Sequence, residues 1–180
     1  MLQVFAFNEL AIVVRHWFEV GPEDEEHGAR LEVRRRKPQP HRGSESAPQV
    51  LELDEIVWRA DLFESLDDAP GSWSRAHHHL SFDGIEPTGR DWDDGLSADP
   101  IGWTRRKLED VAALTALEDP EGEAEDVRRA LPAIMAAVES YQPTRCRSPR
   151  QCRALTRDTR EIVAMQARLY RDGDPRDPRA

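Results

Sequence analysis

The chain has 180 residues, 38% hydrophobic and 33% charged, with a formal net charge of −10. That length suffices for one domain with an ordinary core, and the acidic balance argues against nucleic-acid binding by the surface at large. The charge is uneven: residues 145–180 hold ten arginines against five acids, a net +5 that leaves −15 on the rest.

Lys37 and Lys107 are the only lysines among 25 basic residues, so arginine is the default cation and a single arginine carries little signal. The cysteines, Cys146 and Cys152 in "CRSPRQC", have neither zinc-knuckle nor redox spacing and are too few for a secreted disulfide scaffold. A reducing cytoplasm is the expected location. The N-terminus lacks a basic leader, and Glu9, Arg15 and His16 interrupt its apolar run. Nothing approaches the roughly 18 unbroken apolar residues of a membrane span, so no membrane contact is expected.

Residues 1–37 read as strands. "AIVVRHWFEV" is β-branched and aromatic, and Ile12, Val14, His16, Phe18 and Val20 alternate onto one face. An acidic loop, "GPEDEEHG", leads into "ARLEVRRRK", where Leu31 and Val33 alternate with Glu32 and Arg34, giving a hairpin. The Pro/Ser-rich stretch 38–49 is expected to be a mobile loop. "QVLELDEIVWRADLFESL" supplies one further strand or two short ones, and a strand through "HHH", residues 77–79, follows an irregular loop. "DGIEPTGRDWDDGLSADP" reads as a second long irregular stretch.

Helices follow. Asp99 and Pro100 fit the cap and first position of a helix to about Glu118, and Val127, Leu131, Ile134 and Val138 mark a second over about 123–140, with Pro132 inside it. A third is expected over 149–171, opened by Ser148, Pro149 and Gln151 as a capping box. Strands first and helices last give an α+β fold: an antiparallel sheet of four to six strands, packed on one face by two to three C-terminal helices. Residues 1–172 read as one domain, 1–97 mainly strands and loops and 98–172 helical, with a disordered tail over 173–180.

Pairing 56–64 with 76–82 about a symmetric loop sets Asp61 opposite His79. His78 then joins Trp58, Ala60 and Leu62 on the core face as a buried histidine bonded to a backbone carbonyl. His77, His79 and Asp83 share the other face with Asp61. Two imidazoles and a carboxylate are ligands for one divalent transition metal, whose open position would activate water. Asp91, Asp93, Asp94 and Asp99 lack the EF-hand pattern and are explained by a turn and a helix cap. No nucleotide-binding, nucleophile-elbow or zincin motif is present.

The third helix sorts sharply. Leu155, Ile162, Val163 and Leu169 fall on one side; Arg150, Arg153, Arg157, Arg160, Arg168 and Arg171 fall on the other. The stripe is either the solvated back of a docked helix or a surface for an acidic protein or a second copy of the chain. Stacking aromatics are absent from it, which disfavours nucleic acid. Two function classes follow. The first is a non-catalytic interaction protein using an open sheet face or the arginine stripe; the alternative is a metal-assisted hydrolase at His77, His79 and Asp61.

Overall fold

In the computed structural model, which describes residues 2–20, 25–40, 50–69 and 71–140, period-two alternation builds a five-stranded antiparallel sheet. Its strands are β1 (Leu2–Ala6), β2 (Leu10–Val20), β3 (Glu25–Arg36), β4 (Leu53–Ser65) and β5 (His77–His79), adjacent in chain order. A two-stranded hairpin follows, β6 (Phe82–Asp83) and β7 (Glu86–Pro87). Next come helices α1 (Asp94–Ala98) and α2 (Pro100–Glu109), a 3-10 turn at Val111–Ala113, and α3 (Pro120–Ser140). The fold is α+β, with the sheet in the N-terminal part and the helices packed on it.

One face of the sheet is apolar. Leu10, Ile12 and Val14 of β2, Ala29, Leu31 and Val33 of β3, and Trp58, Ala60 and Leu62 of β4 form a continuous buried layer. Leu96, Trp103, Leu108, Val127, Leu131, Ile134 and Val138 cover it from the helices. Each large side chain so buried is worth about 1.5–3 kcal/mol relative to exposure, so this layer dominates the fold's stability.

The helical segment breaks where its caps dictate. Asp93 accepts from the amides of Gly95 and Leu96, capping α1 within a stretch expected to be irregular, and Asp99 accepts from Gly102, capping α2, which ends at Glu109 rather than near Glu118. α3 starts at Pro120, earlier than expected, and runs on through Pro132. Two carboxylates fasten it to the sheet. Glu123 accepts from the amides of Glu9 and Leu10, while Glu9 accepts from those of Glu118 and Asp119. Each satisfies backbone donors that would otherwise lie orphaned at a turn or helix start.

The expected register of β4 on β5 is corrected by two residues: Asp61 pairs with His77, Ala60 with His78 and Arg59 with His79. The ladder closes one step earlier than the symmetric loop implied, with the Arg75 amide donating to the Phe63 carbonyl at 3.1 Å. An even shift leaves every side chain on its face, so the grouping of Asp61 with His77 and His79 survives. The "DGIEPTG" stretch is likewise no irregular loop. Gly84, at φ +62°, turns β6 into β7, the left-handed position a tight hairpin requires.

The expected third helix, its arginines Arg150, Arg153, Arg157 and Arg160, both cysteines, the tail 173–180 and most of the 38–49 loop lie outside the described residues. No described helix is long and apolar enough to cross a membrane.

Candidate metal centre

The second face of the sheet is buried too, yet it is charged. Running across the strands by register, one row reads Arg15, Arg30, Asp61, His77, and the next reads Val13, Glu32, Arg59, His79. Arg30, Glu32, Arg59, Asp61, His77 and His79 are all buried, Asp61 and His77 completely. Charges in such a setting are held by partners or neutralised, and here the partners are explicit.

Asp61 is the hub. Arg30 grips it as a fork, Nε to Oδ1 at 2.7 Å and Nη2 to Oδ2 at 2.9 Å. Trp17 and Phe63 hold the fork in place, the Arg30 guanidinium lying 4.0 Å from the Trp17 ring centre and 5.4 Å from that of Phe63. Trp17 can lie over this region because its cross-strand partner is Gly28. A Cβ at Gly28 would meet the Leu62 carbonyl oxygen at 2.0 Å. Arg59 Nη2 stands 3.0 Å from Asp61 Oδ2. Its cross-strand neighbour Glu32 is bound by Arg15 at 2.6 Å and more loosely by Arg34 at 3.5 Å.

The imidazoles are oriented by backbone carbonyls. His77 Nδ1 donates to the Arg75 carbonyl at 2.7 Å, and His79 Nδ1 donates to that of Gly89. The β6–β7 hairpin delivers Gly89 to this position: Thr88 donates its amide to the Ser81 carbonyl, and Asp91 bridges to His78. The same return lays Trp92 against His77, ring centres 5.3 Å apart.

With a proton fixed on each Nδ1, both Nε2 atoms present lone pairs inward. His79 Nε2 lies 3.2 Å and His77 Nε2 3.5 Å from Asp61 Oδ2. The three ligand atoms are within 4.8 Å of one another. Lone pairs do not converge on a carboxylate oxygen without something positive between them. Three species can supply that charge: a second proton on an imidazole, a guanidinium, or a metal ion. Arg59 Nη2 meets the need at His79, 2.9 Å from Nε2, whereas His77 Nε2 is buried with no hydrogen-bond partner among the described residues. Burial works to raise the Asp61 pKa. The close approach of the His77 and His79 rings and the charge and hydrogen bonds of Arg30 outweigh it, holding the carboxyl well below its usual range.

Of the residues singled out from sequence, Asp61, His77 and His79 come together. Asp83 does not join them: it lies exposed in β6, paired with Glu86. His78 does face the core, 5.0 Å from Trp103 and 6.5 Å from Trp58 between ring centres. The carbonyl expected for it is missing, and its Nδ1 is buried without a partner among the described residues. Burial lowers its pKa, which keeps the ring neutral. Alternation along β4 puts Arg59 on the face of Asp61 without giving it a role, and Arg30 was missed. The signal was available: the alternation that turned Glu32 away from the core turns Arg30 to the same face.

A second titratable pair, also missed, lies on the helix-bearing face. His27 and Glu64 are cross-strand partners, with Nε2 and Oε1 3.7 Å apart. Glu64 also accepts the amides of Gly71 and Ser72 from a loop that bends sharply at Trp73, φ +52°. Burial raises the Glu64 pKa to about 7, and burial together with His16 lowers that of His27 to about 4. Near neutrality the pair is therefore an uncharged imidazole beside a carboxyl close to half protonated.

Comparison with known proteins finds no family model, no curated relative and no solved structure that matches this chain.

Proposed function

We propose that the protein binds one divalent transition-metal ion of the zinc class through Asp61 Oδ2, His77 Nε2 and His79 Nε2. The ion acts as a non-catalytic cross-link between β4 and β5. One observation carries the reading: carbonyl-fixed tautomers aim two imidazole lone pairs at one carboxylate oxygen inside a buried site. Histidine ligands of metals commonly donate their other ring N–H to a backbone carbonyl, which sets the tautomer and the ring angle. Ligands about 2.1 Å from a tetrahedral ion stand about 3.4 Å apart. The His77 and His79 separations of 3.5 and 3.2 Å from Asp61 Oδ2 bracket that spacing.

Burial bears on the hydrolase alternative read from sequence. A hydrolytic metal keeps a position open to water and substrate, whereas a structural one is enclosed. All three ligands here are enclosed, which favours the structural role. β5 has only three residues, so the ion would add a cross-link to a short strand.

Thermal unfolding with and without zinc tests the reading. An ion held by the folded state adds about 2.7 kcal/mol at a hundredfold excess over its dissociation constant. The wild type is expected to gain several degrees in Tm, and the His77→Ala/His79→Ala variant none. Equal shifts in both would place the ion elsewhere, and no shift in the wild type would refute the proposal.

A further inference from the structure

We infer that Arg59 is a built-in competitor for the metal position, so that ion binding and displacement of Arg59 are one exchange. The inference rests on the metal-binding reading above and adds the control of that site. Arg59 Nη2 lies 2.9 Å from His79 Nε2 and 3.0 Å from Asp61 Oδ2, bonded to two of the three atoms a metal would use. A cation is thus already seated there, and the lone pair of His79 is engaged by it.

Two features make the arrangement displaceable. First, Arg59 is gripped at one end only, because its Nε is buried with no hydrogen-bond partner among the described residues. Arg30 contrasts with it, bound through both Nε and Nη2 to the same carboxylate. Second, Arg59 has somewhere to go. Glu32 is its direct cross-strand neighbour on β3, and one Glu32 oxygen is committed to Arg34 only at 3.5 Å. Asp61 and Glu32 thus flank Arg59 as alternative anionic partners, one inside the ligand set and one beyond it. A divalent ion entering the site carries more charge than the guanidinium and also engages His77 Nε2, which Arg59 leaves unpartnered. The expelled Arg59 turns to Glu32, and no charge is left buried without a counter-ion.

Metal affinity is consequently set below what the three ligands alone would give. Zinc and cobalt affinities of the wild type and Arg59→Met, measured by competition with a chromogenic chelator on protein verified as folded by circular dichroism, test this. Arg59→Met keeps the length of the side chain and removes the competing charge. It is expected to bind zinc about tenfold tighter or more, a difference of roughly 1.4 kcal/mol or greater. Equal or weaker binding by Arg59→Met, with the wild type still binding at the three ligands, would overturn the inference and leave the metal site standing. Binding by neither protein would remove the metal site itself.

Wild-type protein supplies a second test that needs no core substitution. The arginine Nε–H resonance of Arg59, assigned by its loss in the variant or by through-bond correlation, is expected to shift with zinc in step with the His79 ring signals. A His79 response without an Arg59 response would also overturn the exchange.

Discussion

Replacing Asp61 by Asn removes one charge and almost no volume, and it isolates the hub of the buried polar face. In the wild type the carboxylate is wholly buried, and it faces Arg30 at 4% and Arg59 at 6% exposure. Asp61→Asn takes the charge of the shared carboxylate away from both buried guanidinium groups. Breaking a buried pair in this way costs about 3–5 kcal/mol, because the surviving charge has already lost its water. With a urea dependence of about 2 kcal/mol per molar for a domain of this size, the midpoint should fall by roughly 1.5–2.5 M. The assay is equilibrium urea unfolding of metal-free protein followed by tryptophan fluorescence and circular dichroism together.

The pH dependence sharpens that test. The Asp61 pKa is depressed in the folded state, so its stabilisation is fully present above the unfolded carboxylate value of about 3.9. It is lost as pH falls through the depressed folded value. The gap between wild type and Asp61→Asn is therefore expected to stay constant from pH 8 to pH 5 and to narrow only below about pH 4. A midpoint shift under about 0.5 M with unchanged slope, or a gap that already closes between pH 7 and pH 5, would refute the assignment of Asp61 as the anchor of two buried arginines.

Two further substitutions address the surrounding structure. Glu64, raised to about 7, withdraws stability as pH rises above 4.5, while His27, lowered to about 4, adds stability as pH rises toward 6.5. The opposing slopes offset each other between 4.5 and 6.5 in the wild type. In Glu64→Gln only the histidine slope remains, and urea midpoints should climb with pH across that window; a flat profile would contradict the pairing. Gly28→Ala forces a Cβ onto the Leu62 carbonyl and should cost about 3 kcal/mol, the upper end of ordinary overpacking. A loss under about 1 kcal/mol, read by the same unfolding assay, would show that β3 and β4 can part there without penalty.

The faces of the sheet were legible from alternation alone, since Trp58, Ala60 and Leu62 set one phase along β4 and Asp61 followed. The pairing of His77 and His79 with that aspartate survived a wrong register because the error was an even number of residues. The register itself was not legible. It depends on where the 66–75 loop closes, and a backbone bond from Arg75 to Phe63 decides that. The carbonyls of Arg75 and Gly89, which fix the tautomers, were equally hidden, because a backbone acceptor has no residue type to betray it. The β6–β7 hairpin was legible in part: Gly84 is the residue type that the first central position of a two-residue turn favours. Arg30 was lost in an arginine-rich composition, and Arg59, though on the face of Asp61 by alternation, drew no role for the same reason. The sequence also held nothing to say that β3 would lie between β2 and β4, bringing Arg30 beside Asp61.

Metal stoichiometry tests the central claim most directly. Untagged protein, stripped of ions and then dialysed to equilibrium against micromolar zinc, would be compared by elemental analysis with the His77→Ala/His79→Ala variant. One zinc per wild-type chain, absent from a variant that keeps its circular dichroism spectrum, is the expected result. An ion-free wild type, or a variant that retains its zinc, would contradict it and leave the buried cluster as a closed network of arginine, aspartate and histidine.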